Sequence, residues 1–182
     1  MQIPHQDMIE LKQQTHRNSR SGYGIEKFQE LMWTRIAVCG GVPHDASGNF
    51  LFSFCHRIGS CDILWAELRG ILDGLELLWN KGFRKVVIEC DSEAALELVV
   101  SGIAENHPCS SLVHQIRSLI NRNWDLDLVH PFGEANKAAD HMAKMSHILS
   151  EGLHVFCYPH EDLSSILVAD LYGPLVHRLC VC

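Results

Sequence analysis

Three acidic residues and one histidine occupy positions where a folded chain could use them chemically: Glu67, Asp91, His130 and Asp140. Asp91 directly follows the β-branched run Lys85-Val86-Val87-Ile88-Glu89-Cys90, and in open α/β sheets sites form beyond the carboxyl ends of strands. The same place suits a helix N-cap, which by itself accounts for an Asp. Glu67 lies on the edge of an apolar helical stripe, between Leu64 and Ile71. A carboxylate facing a sheet must be paired, protonated or bound to a metal, although an acid at a surface edge is commonplace. Asp140 falls in the first turn of a helix, where the macrodipole favours any acid. His130 ends an alternating run on the face of Leu126 and Leu128, the place of a core histidine as readily as of a base. Asp73 points half a turn away from the stripe and reads as a solvated residue.

The elements that must position these residues follow from periodicity. Residues 1–22 are polar and read as a mobile tail, and Ile25, Phe28, Met32 and Ile36 recur at helical spacing, predicting a short helix over 24–34. Apolar runs at 36–42 and 50–56 flank the turn formers His44-Asp45-Ala46-Ser47-Gly48-Asn49, which signals a β-hairpin. The stripe Leu64, Leu68, Ile71, Leu75, Leu78 predicts a helix over 62–80 that Gly82 stops. A buried strand over 85–90 leads into a helix over 93–100, with Asp91 or Ser92 as its cap. Helices over 110–122, from an Asn136 cap to about 149, and over 161–171 complete the set, with a half-wet strand over 124–130. The order gives an α/β domain over 23–150, with 151–182 as an extension carrying one amphipathic helix.

Composition bounds the function. An apolar fraction of 47% and a charged fraction of 20% suit a globular chain. The net charge of −7 argues against a generally basic coat for nucleic acid. A nuclease remains compatible with it, since carboxylates can sit at the centre and basic residues in a local patch drawn from Lys81, Arg84, Lys85, Arg117, Arg122, Lys137 and Lys144. Neither a secretory leader nor a transmembrane run is visible, and the cysteines show no CxxC pair. The expectation is a reduced protein of cytoplasm or nucleus, with no membrane partner and no zinc site of regular spacing.

Each candidate is weak alone, but together they form an ordered set. The run Trp65-Ala66-Glu67-Leu68-Arg69-Gly70-Ile71-Leu72-Asp73-Gly74-Leu75 resembles the Glu-bearing helix of plant retroelement-type ribonuclease H-like domains. Ile88-Glu89-Cys90-Asp91-Ser92 resembles their strand ending in Asp-Ser. His130 followed by Glu134-Ala135-Asn136-Lys137-Ala138-Ala139-Asp140 resembles their closing motif. Gly40-Gly41-Val42 with Asp45 and Gly48 is similar to their hairpin, and 163–173 to a C-terminal extension common among them.

The resemblance implies a ribonuclease H-like mixed five-stranded sheet with helices on both faces. It implies hydrolysis of the RNA strand of RNA–DNA hybrids by two Mg²⁺ (or Mn²⁺) ions. Glu67, Asp91 and Asp140 would be metal ligands, and His130 would assist proton transfer or product release. The chain departs from the family at the first strand. Where the family carries an Asp in an Asp-Gly-Ala motif, this chain reads Tyr23-Gly24-Ile25-Glu26-Lys27-Phe28-Gln29-Glu30-Leu31-Met32, with helical spacing. Glu26 and Glu30 lie at about the right distance but in the wrong local structure. The expected first strand is therefore missing or replaced, metal binding is weak and cleavage is impaired. The alternative is a non-catalytic ribonuclease H-fold domain that binds nucleic acid or protein.

Overall fold

A computed structural model describes residues 9–17, 36–130 and 137–172. Its strands are β1 (Ile9–Arg17), β2 (Ala37–Asp45), β3 (Ser53–Gly59), β4 (Lys85–Cys90), β5 (Asp125–Val129) and β6 (Gly152–Phe156). Its helices are α1 (Ile63–Asn80), α2 (Glu93–Ser101), α3 (Ser110–Ile120), α4 (Lys137–Met145) and α5 (Glu161–Tyr172), with a short 3₁₀ turn Ser146–Ile148 after α4. The sheet order is β5-β4-β1-β2-β3-β6. β4 pairs in parallel with both β1 and β5, and the other neighbours are antiparallel.

The strand that the sequence reading leaves missing or replaced is supplied from the segment read as a tail. β1 takes the central place, bonded to β2 on one side and to β4 on the other. Central strands are usually near-continuous apolar runs, and Ile-Glu-Leu-Lys-Gln-Gln-Thr-His-Arg is not one, so its polar composition hid it. The helix expected over 24–34 lies outside the described residues, as do Glu26, Glu30, Glu134 and the Asn136 cap. β6 is a sixth strand beyond the expected five, and it adds the start of the extension to the free side of β3.

The hairpin β2–β3 closes as its turn residues require. Asp45 Oδ1 accepts from the backbone N–H of Ser47 (2.9 Å) and of Asn49 (2.8 Å), and Gly48 takes a positive φ of 81°. α1 ends in a Schellman motif, with Phe83 N–H donating to Leu78 O and Gly82 N–H to Trp79 O; Gly82, at φ 89°, is the left-handed residue that this geometry needs.

Two cores result. On one face α1, α2 and α3 cover Phe52, Phe54, Val86 and Ile88 with Leu68, Ile71, Leu75 and Ile116. Full burial of each such side chain contributes roughly 1.5–3 kcal/mol. On the other face α4 and α5 meet Val42 and Cys55 through Ala138, Met142 and Leu163. α4 lies so close to β2 that a Cβ on Gly40 would stand 2.6 Å from Ala143 N and 2.9 Å from Met142 Cβ. Among the described residues, no helix is long and apolar enough to cross a membrane.

Candidate active site

Asp91 stands immediately beyond β4, at the carboxyl end of a strand. Its capping role falls to its neighbour: Ser92 Oγ accepts from Ala95 N–H at 3.3 Å, so Ser92 starts α2 and Asp91 is left outside the helix. This removes the simplest structural account of an acid there. Glu67 projects from the first turns of α1 and is 6% exposed. One oxygen from each of Glu67 and Asp91, together with Cys90 Sγ, lies within 4.8 Å of the others.

Asp140, in the first turn of α4, is close enough to Asp91 to act on it electrostatically. Asp91 is exposed at the strand end, yet lost hydration pushes its carboxyl above the usual range; the Asp140 charge adds to this, while its own backbone and His130 oppose it. Asp140 also pairs with Lys144 one turn along α4. His130 follows β5, whose parallel pairing brings Val129 beside Glu89. Its Nδ1 is 3.1 Å from Cys90 O. A carbonyl only accepts, so Nδ1 carries the proton. The sequence candidates Glu67, Asp91, His130 and Asp140 therefore gather at one end of the sheet, around the carboxyl end of β4.

Glu10, the acid of β1, pairs in register with Val87, away from the end of β4. Gln13 occupies the register position between Cys90 of β4 and Gly41 of β2, one residue short of Asp91. The carboxylates suit a hard divalent cation, since positive charge beside Asp91 would offset the Asp140 charge that helps to raise its pKa.

Asp73 corrects the sequence reading. It is fully buried, with Oδ2 2.6 Å from His56 Nδ1 on β3 and Oδ1 2.8 Å from Arg69. α1 packs against both the sheet and α3, so its buried arc is wider than the leucine stripe and takes in Asp73. Only the Arg69–Asp73 spacing of one helical turn was legible; His56 is brought in by the strand pairing Cys39↔His56. Several candidate phosphate-binding cations are also engaged structurally. Arg84 donates to Trp79 O and Phe83 O and stacks on the Trp79 ring, and Arg117 donates to Val99 O and Val100 O at the end of α2.

The sequence profile of a family described as "Reverse transcriptase-like" matches residues 30–146. The chain belongs to this family. The recognised ribonuclease H-like domain of plant retroelement type agrees with it, and with an Arabidopsis thaliana protein named "Putative ribonuclease H protein", which is 36% identical over 138 residues. That match takes in 76% of this chain but 22% of the relative, so the chain spans about a fifth of the relative's length. Among solved structures, ribonuclease H1 of the halophilic archaeon Halobacterium salinarum superposes with a TM-score of 0.59 at 19% identity, over 78% of this chain and 96% of that one. LC11-RNase H1 in complex with an RNA/DNA hybrid superposes with a TM-score of 0.58 at 22% identity, over 79% and 99% respectively. These likenesses identify the fold, a ribonuclease H-like mixed sheet with helices on both faces.

Proposed function

We propose that this ribonuclease H-like chain binds RNA–DNA hybrids and cleaves their RNA strand slowly, with one carboxylate fewer than the full site. The observation that carries the reading is the gathering of Glu67, Asp91 and Asp140 around the end of β4, with Gln13 rather than an acid beside them in the register. The Arabidopsis relative and the hybrid-bound LC11 enzyme support hybrid as the substrate class.

Glu67, Asp91 and Asp140 would hold Mg²⁺ or Mn²⁺, whose chemistry is to make water a better nucleophile and to offset charge at a phosphate. The protein's own contributions are narrower. Ser92, by taking the cap of α2, leaves the Asp91 carboxylate available at the sheet end. The close seat of α4 on Gly40 fixes the height of Asp140 over the sheet. The Nδ1 proton donated to Cys90 O orients the His130 ring, so a proton passed to the leaving oxygen travels through Nε2. With three carboxylates gathered there among the described residues, cation binding would be weak and turnover low.

The test is a gel-shift and cleavage assay on a labelled hybrid with Mg²⁺. Hybrid binding with slow cleavage that Asp91→Asn abolishes supports the proposal. Binding with no cleavage above the Asp91→Asn background would mark the chain as a non-catalytic binding domain, a reading that Gln13 favours. Failure to bind hybrid at all would overturn both.

A further inference from the structure

A second cluster of metal-ligating side chains lies apart from the carboxylates, where the C-terminal extension docks on α4. His141 of α4, His160 just before α5 and Asp162 in the first turn of α5 each present one donor atom within 4.8 Å of the others. His160 Nδ1 and Asp162 Oδ2 are 3.5 Å apart. Ligand atoms at about 2.0–2.2 Å from a tetrahedral zinc are separated by roughly 3.3–3.6 Å, so this pair already has ligand spacing. His141 Nε2 is buried and has no hydrogen-bond partner. A buried polar atom without a partner is uncommon in native proteins and is often accounted for by a water or an ion.

We infer that His141, His160 and Asp162 form a zinc-class site that clamps the C-terminal extension to α4. Two imidazoles and one carboxylate suit a borderline first-row ion such as Zn²⁺, whereas Mg²⁺ prefers an all-oxygen shell. His160 and Asp162 have side chains 54% and 73% exposed, with His160 Nδ1 also accepting from Asp162 N–H at 3.4 Å, while the half-buried His141 supplies the anchor on α4. The charges of Glu161 and Asp162 offset the positive end of the α5 dipole, which would otherwise repel a cation. The three donors bridge two elements, so the ion adds a crosslink to a contact otherwise made by Leu163 against Met142 and Ala138. The remaining cluster among the described residues, Cys39, His56 and Asp73, suits an ion less well: Asp73 is already paired with Arg69, whose charge repels a dication.

Zn²⁺ titration by calorimetry, with thermal melts and Co²⁺ absorption spectra of the full chain, tests the site. Zn²⁺ should bind one to one and raise Tm, and Mg²⁺ should not compete. His160→Ala and Asp162→Ala change exposed side chains, so the fold should survive, yet each should weaken zinc binding by about 100-fold or more; loss of even an outer partner of a ligand costs about 10- to 100-fold. Co²⁺ should give visible bands of a nitrogen and oxygen site. The proposal is overturned if zinc has no effect on Tm, if both variants bind it unchanged, or if a sulfur-to-cobalt charge-transfer band places the ion on a cysteine.

Discussion

Gln13 and Cys90 stand side by side in the parallel register of β1 and β4, so the central strand carries an amide one residue short of Asp91. Gln13→Asp would supply a carboxylate at that position. We expect it to raise hybrid cleavage by about 100-fold or more, equivalent to a few kcal/mol of transition-state stabilisation, and to tighten Mg²⁺ binding. Single-turnover rates for the two proteins check this. An unchanged rate would mean that the shortfall lies elsewhere than in β1.

Gly40 leaves room for the backbone of α4. Gly40→Ala would drive a methyl group against Ala143 N at 2.6 Å. Overpacking of this kind costs about 1–3 kcal/mol. Because the clash is with backbone, we expect the upper part of that range, together with reduced activity as Asp140 is lifted. Urea unfolding with an unchanged m-value would report it.

Asp73 is held between His56 and Arg69 and is fully buried. Removing one member of a buried pair leaves the others uncompensated, typically at about 3–5 kcal/mol. Asp73→Ala should therefore destabilise strongly, while Asp73→Asn, which keeps the shape and an acceptor oxygen, should cost less. Chemical denaturation of the two variants separates these outcomes.

Asp91 sets a pH dependence of defined sign. Its folded-state pKa is raised, chiefly by lost hydration, with Asp140 adding to the effect. Between the unfolded value and the raised one, the folded chain binds more protons than the unfolded chain. Stability contributed by this group is therefore present at low pH and lost as pH rises through that window. Asp91→Asn should raise Tm near neutral pH without metal and have little effect below the ordinary carboxylate pKa. Melts at the two pH values decide it, and a loss of stability at neutral pH would count against crowded carboxylates.

The helices of the domain were legible because each carries its own stripe and stop, as Leu64 to Leu78 and Gly82 do for α1. Glu67, Asp91, His130 and Asp140 could be singled out as candidates because their motifs stand in order along the chain, although nothing local separates Asp91 from an N-cap until Ser92 takes that bond. β1 was not legible, because its hydrogen bonds come from two strands distant in sequence and its composition is polar. Asp73 was misjudged for a related reason: helical spacing gives a direction around α1 but not how many neighbours surround it.

β6 changes what the extension means for the rest of the molecule. By pairing Gly152–Phe156 with β3, it satisfies a row of backbone donors and acceptors that would otherwise face outward on an apolar hairpin. A bare row of that kind is a template for recruiting strands from other molecules. At the opposite margin β5 carries the exposed acids Asp125 and Asp127, whose charge discourages such recruitment. By this geometry β6 shields the β3 edge from self-association, and a chain shortened to residues 1–150 is expected to lose solubility before it loses its fold.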